Sequence, residues 1–166
     1  MAAVTPVDAA TFRAALARFA SGVTVLTVRD AEGADRGMTV SAFASLSLEP
    51  PLVLACLDLG ATVLPHVRAA RLFGVSILSA GQQEISARFA EQGVVRFDGV
   101  GITHASDGPA LIDDAVAHLV CRRVAESPGG DHVIVVGEVL SARVHGEDPL
   151  VYALRRYGRF APGAER

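Results

Sequence analysis

Gly37-Met-Thr-Val-Ser-Ala-Phe-Ala-Ser-Leu-Ser-Leu-Glu-Pro-Pro51 is the stretch on which the reading of this chain turns. In an extended chain, successive side chains point to opposite faces. Thr39, Ser41, Ser45 and Ser47 fall on odd positions, and Met38, Val40, Ala42, Ala44, Leu46 and Leu48 on even ones. As one strand, the stretch sets four hydroxyls on one face, interrupted only by Phe43, and an apolar row on the other. Glu49-Pro50-Pro51 ends it. Two readings fit such a face. One is a solvated sheet surface, where Ser and Thr are common. The other is a binding wall: hydroxyls and backbone N–H groups cradle a phosphate without lysine, and small side chains admit a flat ring close to the backbone. The pattern alone does not choose.

Upstream, Asp8 is placed to cap a helix that carries Phe12, Leu16 and Phe19 at helical spacing and stops at Ser21-Gly22. The β-branched run 22–29 reads as a strand, and the polar turn 30–37 leads back into the opening stretch, making a hairpin. Downstream, 52–57 is a short apolar strand. Thr62 is placed to cap a helix running to Arg71, with Pro65 in its first turn. A strand at 72–78 precedes an amphipathic helix at 82–92, with Ile85 and Phe89 four apart. The segment 96–114 reads as irregular. Two long strands, 115–125 and 133–144, are joined by Ser127-Pro-Gly-Gly-Asp131, and the tail 149–162 holds both tyrosines. The first two strands and the last two are joined by turns too short for a parallel crossover. The expected fold is mainly β with inserted helices, an antiparallel barrel.

The 166 residues suggest one domain, 1–166, large enough to bury its own core. The formal charge is −3, and all fifteen basic residues are Arg, scattered along the chain. Without a basic stripe or arm, a nucleic-acid partner is not expected. No signal peptide is legible and no apolar run is long enough to cross a bilayer, so the expectation is a cytoplasmic protein with no membrane partner. Cys56 and Cys121 sit in apolar runs and read as buried free thiols, although counting alone also allows a disulfide.

Reactive constellations are scarce. There is no CxxC, HExxH, GxSxG, Walker loop or GxGxxG after a strand. The histidines at 66, 104, 118, 132 and 145 lack metal-ligand spacing, so no metal is expected. Asp113-Asp114 reads as a turn, because neighbours on an extended chain point apart. An enzyme so equipped leans on a cofactor.

Taken in order, several segments resemble the short-chain flavin reductases, the reductase components of two-component flavin-dependent monooxygenases. They are Gly22-Val-Thr-Val-Leu-Thr27, the opening stretch with Leu52, Phe73-Gly-Val-Ser-Ile-Leu78, Ile85-Ser-Ala-Arg-Phe-Ala90, Gly108-Pro-Ala-Leu111 and Cys121. Gly130-Asp-His132, Gly137-Glu-Val139, Pro149-Leu-Val-Tyr152 and Tyr157 complete the set. Each piece is weak alone, but the ordered set, covering about 12–160, is specific.

The resemblance implies a split β-barrel of the FMN-binding, Greek-key type. It implies a homodimer with flavin, FAD or FMN, near the subunit interface and NADH as hydride donor. Carried over, Thr39, Val40 and Ser41 lie along the isoalloxazine and ribityl chain, and Ser45, Leu46 and Ser47 hold the flavin phosphate. Cys56 and Leu57 supply backbone contacts, Thr62 a phosphate hydroxyl, and Phe89 a pocket border. His132 orients nicotinamide, and Tyr157 closes the site from the tail. The implied activity is reduction of dissociable flavin by NADH, with the product passed to a partner monooxygenase in an aromatic or secondary-metabolite oxygenation pathway. NADPH fits less well, for want of a compact Arg cluster, although Arg122-Arg123 and Arg155-Arg156 could serve. Asp58-Leu-Gly-Ala61 and Ser76 depart from residues common in the family. Two alternatives stay open: a non-catalytic flavin-binding or storage module, and a split-barrel oxidase with tightly held FMN.

Overall fold

The computed structural model describes residues 5–91, 96–104, 106, 108–146 and 148–163. Among the described residues, twelve strands and three helices follow in the order α1 Ala9–Leu16, β1 Ser21–Gly22, β2 Thr24–Arg29, β3 Asp35–Val40, β4 Phe43–Leu48, β5 Pro51–Asp58, α2 Leu64–Ala69, β6 Leu72–Ile77, α3 Gln83–Ala90, β7 Ile102–His104, β8 Ala110–Ile112, β9 Ala117–Gly129, β10 His132–Val144, β11 Leu150–Ala153 and β12 Arg156–Arg159. Seven of the strands form one sheet in the order β3-β2-β6-β9-β10-β5-β4. Every pairing in it is antiparallel.

The opening stretch is not one strand. β3 and β4 lie at opposite ends of that seven-strand order, joined by Ser41 and Ala42 alone. In a flat sheet, six strand spacings would separate those ends by roughly 29 Å. Three Cα steps from Val40 to Phe43 span at most about 11 Å. The sheet therefore has to curl until its ends meet, and this short link closes the barrel. The Cys56 amide donates to the Ala42 carbonyl at 2.9 Å, stitching the link to β5. The expected single face of four hydroxyls is corrected accordingly: Thr39 and Ser45 sit on different strands, and a register shift between Ser45 and Ser47 breaks the alternation again within β4.

The barrel interior is filled by alternate residues of the strands, among them Leu26, Val53, Leu57, Phe73, Val75 and Val135, all buried. Their side chains recur at period two, as half-buried strands require. A second cluster of Val23, Val25, Leu78, Phe89, Ile112 and Leu150 packs α3 and the tail against the outside of β2. Gly137, on β10, lets Phe73 lie flush on the backbone; a Cβ there would fall 2.3 Å from Phe73 Cζ.

Several boundaries move. Asp8 does cap α1, accepting from the Ala10 and Thr11 amides at 2.9 and 3.0 Å, and these bonds hold its carboxyl below the usual range. However, α1 ends at Leu16 and buries nothing, leaving Phe12, Leu16 and Phe19 at least half exposed. α2 begins at Leu64, and Thr62 does not cap it. The segment expected to be irregular contains the β7–β8 hairpin. β9 runs on to Gly129, so the β9–β10 loop is only Gly130-Asp131. Gly130 supplies the positive φ of 75° that a tight hairpin turn of this kind needs. Cys121 is buried, its thiol pushed up to about 12 by desolvation, whereas Cys56 is only half-buried; both are free thiols. Among the described residues, no helix is long and apolar enough to cross a membrane.

Candidate active site

The site begins where α3 lies across β3. Gly37 permits the approach: a Cβ there would sit 3.1 Å from both Phe89 Cε1 and the Leu26 carbonyl. Gln82 fixes the start of α3, accepting from the Ser79 amide at 3.0 Å and donating to the Asp113 carbonyl at 2.7 Å. The helix turns Ser86 and Phe89, three residues apart, toward the barrel, and both are buried. Phe97 meets Phe89 edge to face at 4.9 Å. The Thr39 hydroxyl donates to the Ser86 carbonyl at 2.7 Å, and the Ser86 and Tyr157 hydroxyls lie 2.9 Å apart.

The tail closes over this arrangement. β11 pairs with β1 and β12, which sets Tyr152 opposite both Ser21 and Tyr157. The two tyrosine rings are 5.3 Å apart. The Leu154 amide reaches the Ala17 carbonyl at 2.6 Å and ties the hairpin to the end of α1.

Between β3, α3, the 58–63 turn and the tail lies a cavity of about 440 Å³. That is within the usual range for small-molecule sites, roughly 300–1,000 Å³. Its walls carry Phe89, Tyr152 and Tyr157, the hydroxyls of Thr39, Ser41 and Thr62, and one charge of each sign, Arg96 and Asp58. Asp58 accepts the Gly60 amide at 2.7 Å within its own turn and pairs with no Arg among the described residues. A second, more apolar cavity of about 500 Å³ lies beside the first, lined by Leu16, Phe19, Phe43 and Cys56. Ser41 and Tyr152 border both. A third, of about 200 Å³, is lined by Leu59, Arg68, Glu126 and His132. His132 Nδ1 lies 2.7 Å from Asp131 Oδ1, and this hydrogen bond lowers the Asp131 carboxyl.

The expected site residues therefore divide. Thr39, Ser41, Thr62, Phe89 and Tyr157 converge on the first cavity, and Cys56 joins Ser41 at the second. His132 stands at the third, one residue beyond the first cavity's wall, since it pairs with Asp58 across β5 and β10. The side chains of Val40 and Leu57 are buried in the barrel core, which leaves only their backbones for a ligand, the kind of contact expected of Leu57. Ser45, Leu46 and Ser47 line none of the three cavities. They lie on β4, with Ser45 and Leu46 exposed and Ser47 half-buried. The sequence reading missed Ser86, Arg96 and Tyr152 as wall residues. Arg122 pairs with Glu138, and Arg123 donates to the Arg68 carbonyl.

A closed antiparallel barrel with an aromatic-walled, hydroxyl-lined cavity of this size is equipped to bind a flat heteroaromatic ring. Among the described residues, no hydrogen-bonded nucleophile–base pair lines that cavity. The chain belongs to the flavin reductase like domain family, whose pattern it matches over residues 16–161. It is 40% identical to an NADH-dependent FAD reductase of Streptomyces globisporus over 98% of this chain and 91% of that one. It is 45% identical to the reductase component of 4-hydroxyphenylacetate 3-monooxygenase from Thermus thermophilus, over 89% and 94% of the two chains. The solved structure of the Streptomyces globisporus NADH:FAD oxidoreductase SgcE6, in complex with NAD and FAD fragments, superimposes with a TM-score of 0.90 at 38% identity, covering 99% of this chain and 100% of that one. The fold expected from the sequence, a mainly β split barrel of the flavin reductases, is the fold found.

Proposed function

We propose that this protein is an NADH-dependent flavin reductase that takes up free FAD or FMN and releases it reduced to a separate flavin-dependent monooxygenase. The observation that carries this reading is the 440 Å³ cavity, whose aromatic walls and hydroxyls suit a flavin and whose lining offers no alternative reactive centre. Relatives that act on FAD and on FMN both match nearly the whole chain. Relatives that are reductase components of aromatic monooxygenases support the partner's class.

Flavin is a substrate here: it enters oxidised, receives at N5 the hydride from C4 of NADH, and leaves. The protein's part is to hold the two rings in contact, about 3–3.5 Å apart, and to exclude water. Phe89, Tyr152 and Tyr157 supply ring-facing surface. Thr39 is fixed by its bond to Ser86, so its side chain is preorganised. Ser41 and Thr62 hold hydroxyls for the ribityl chain or phosphate. His132, beside the 58–61 turn, orients nicotinamide.

The reading includes a homodimer. Phe12 and Leu16 of α1 are at least half exposed, apolar area that a second copy would cover. Ser45 and Ser47 would then meet ligand only in the assembled pair. Sedimentation at low concentration tests this, and a stable monomer removes it.

The deciding experiment is NADH oxidation by the purified protein with FAD, FMN, riboflavin or no flavin. Oxidation that saturates with added flavin supports the reductase. Flavin retained through gel filtration without NADH oxidation points instead to a storage module or an oxidase.

A further inference from the structure

Arg96 is the one cationic side chain lining the 440 Å³ cavity among the described residues. Its guanidinium is held in place: Nη1 donates to the Gly37 carbonyl at 2.7 Å, and Nε and Nη2 donate to the Glu91 carbonyl at 3.1 and 2.6 Å. Those carbonyls are neutral, and none of the described ion pairs involves Arg96. The positive charge is thus fixed in place, with no carboxylate in direct contact among the described residues. Arginine has five N–H groups. Three are engaged, which leaves one N–H on each terminal nitrogen free to donate to a ligand acceptor.

The surroundings indicate what these donors face. Its anchor, Gly37, lies against Phe89, and Met38 follows it in β3, so this end of the cavity is apolar and aromatic. A phosphate calls for clustered donors. The lining hydroxyls without a protein partner among the described residues belong to Ser41, Thr62 and Tyr152, whereas those of Thr39, Ser86 and Tyr157 are engaged. We infer that Arg96 faces the flavin ring and compensates the negative charge that the ring gains on reduction. This inference rests on the reductase reading. In the transfer, the C4–H bond of NADH breaks and an N5–H bond forms on flavin. Two electrons and one proton move together, nicotinamide becomes a cation, and the ring acquires one negative charge shared along its N1–C2=O edge. A fixed cation at that edge binds the reduced ring more tightly than the oxidised one, which favours the forward transfer.

The test is the reduction potential of bound flavin, measured by anaerobic dye equilibration with FAD, FMN and riboflavin, on wild type, Arg96→Gln and Arg96→Lys. Arg96→Gln is expected to weaken binding of the reduced flavin about tenfold relative to the oxidised form, lowering the bound potential by about 30 mV for a two-electron couple. The shift should appear with all three flavins. Arg96→Lys, which keeps the charge, should recover most of it. An unchanged potential in Arg96→Gln overturns the inference. So does weaker binding of FAD and FMN with riboflavin unaffected, which assigns the guanidinium to the phosphate. Equal shifts in both variants overturn it too, since they trace the effect to the Gly37 and Glu91 contacts rather than to charge. A wild-type protein that neither binds flavin nor oxidises NADH refutes the reductase reading itself, a separate result.

Discussion

The hydroxyls of Ser86 and Tyr157 lie 2.9 Å apart, a side-chain hydrogen bond that joins α3 to the tail hairpin across the cavity. Ser86 is 1% exposed, so with the tail in place its hydroxyl depends on Tyr157 rather than on bulk water. A bond of this kind contributes about 0.5–1.5 kcal/mol net. Ser86→Ala and Tyr157→Phe should each weaken flavin binding roughly fivefold, and the double variant should be no worse than either single one. Titration of flavin fluorescence on all four proteins gives the coupling. Additive losses would mean that the two residues act independently.

Gly137 stands at the first of two register shifts between β10 and β9. Any side chain there collides with Phe73, whose Cζ and Cε1 lie 2.3 and 2.7 Å from a built Cβ, and with Cys121 Cβ at 3.0 Å. Phe73 is among the largest fully buried side chains, so any shift of its ring is felt by the packed core. Gly137→Ala should cost about 1–3 kcal/mol by overpacking. A lower urea midpoint at unchanged slope would register it. Wild-type stability would show that Phe73 has another rotamer available.

These cases mark what could be read in the chain. The β2–β3 and β9–β10 hairpins were legible because β-branched runs flank polar turns, and pairing there is local. The Ser41-Ala42 corner was not. Alternation runs straight through it, no Gly or Pro marks it, and what fixes it is a bond to Cys56, fourteen residues on. Closure is a long-range property that period-two counting cannot see. In the site, Thr39, Ser41, Thr62, Phe89 and Tyr157 were found through resemblance and converge on one cavity. Ser86 had a legible signal, a small polar residue three before Phe89 on the same helical face. Arg96 had none, because its segment lacks periodicity. Ser45, Leu46 and Ser47 line none of the three cavities, because β4 carries only its first residues, Phe43 and Ala44, along the second cavity before it runs on.

Asp30 closes the β2–β3 turn. Its carboxylate accepts from Arg36 Nε at 2.8 Å and from the Ala34 amide at 2.7 Å. The Arg36 bond is the main cause that lowers this carboxyl below its ordinary value of 3.8. A carboxyl lowered in the folded state lends its full stability above the unfolded value and loses it as pH falls through the folded one. Asp30→Asn should therefore melt below wild type at neutral pH, and the gap should narrow once pH drops below about 4. Thermal melts from neutral to acid pH check this. A gap independent of pH would assign the loss to turn geometry alone.

His132 is the residue whose role separates two views of the hydride step. It faces the 200 Å³ cavity rather than the aromatic one, and it pairs across the sheet with Asp58, which lines the aromatic cavity. Its Nδ1 is engaged with Asp131, which fixes the ring. A group so placed can touch nicotinamide at the rim, but it is poorly placed to exchange a proton with a flavin lying between Phe89 and Tyr157. His132→Ala should then raise the KM for NADH several-fold and lower kcat less, the signature of lost substrate binding. Flavin affinity should be unchanged, because the substitution leaves the aromatic cavity intact. Steady-state kinetics with NADH varied at saturating flavin make the measurement. A fall in kcat at constant KM would put His132 in the chemical step, and an unchanged KM and kcat would leave it an exposed turn residue.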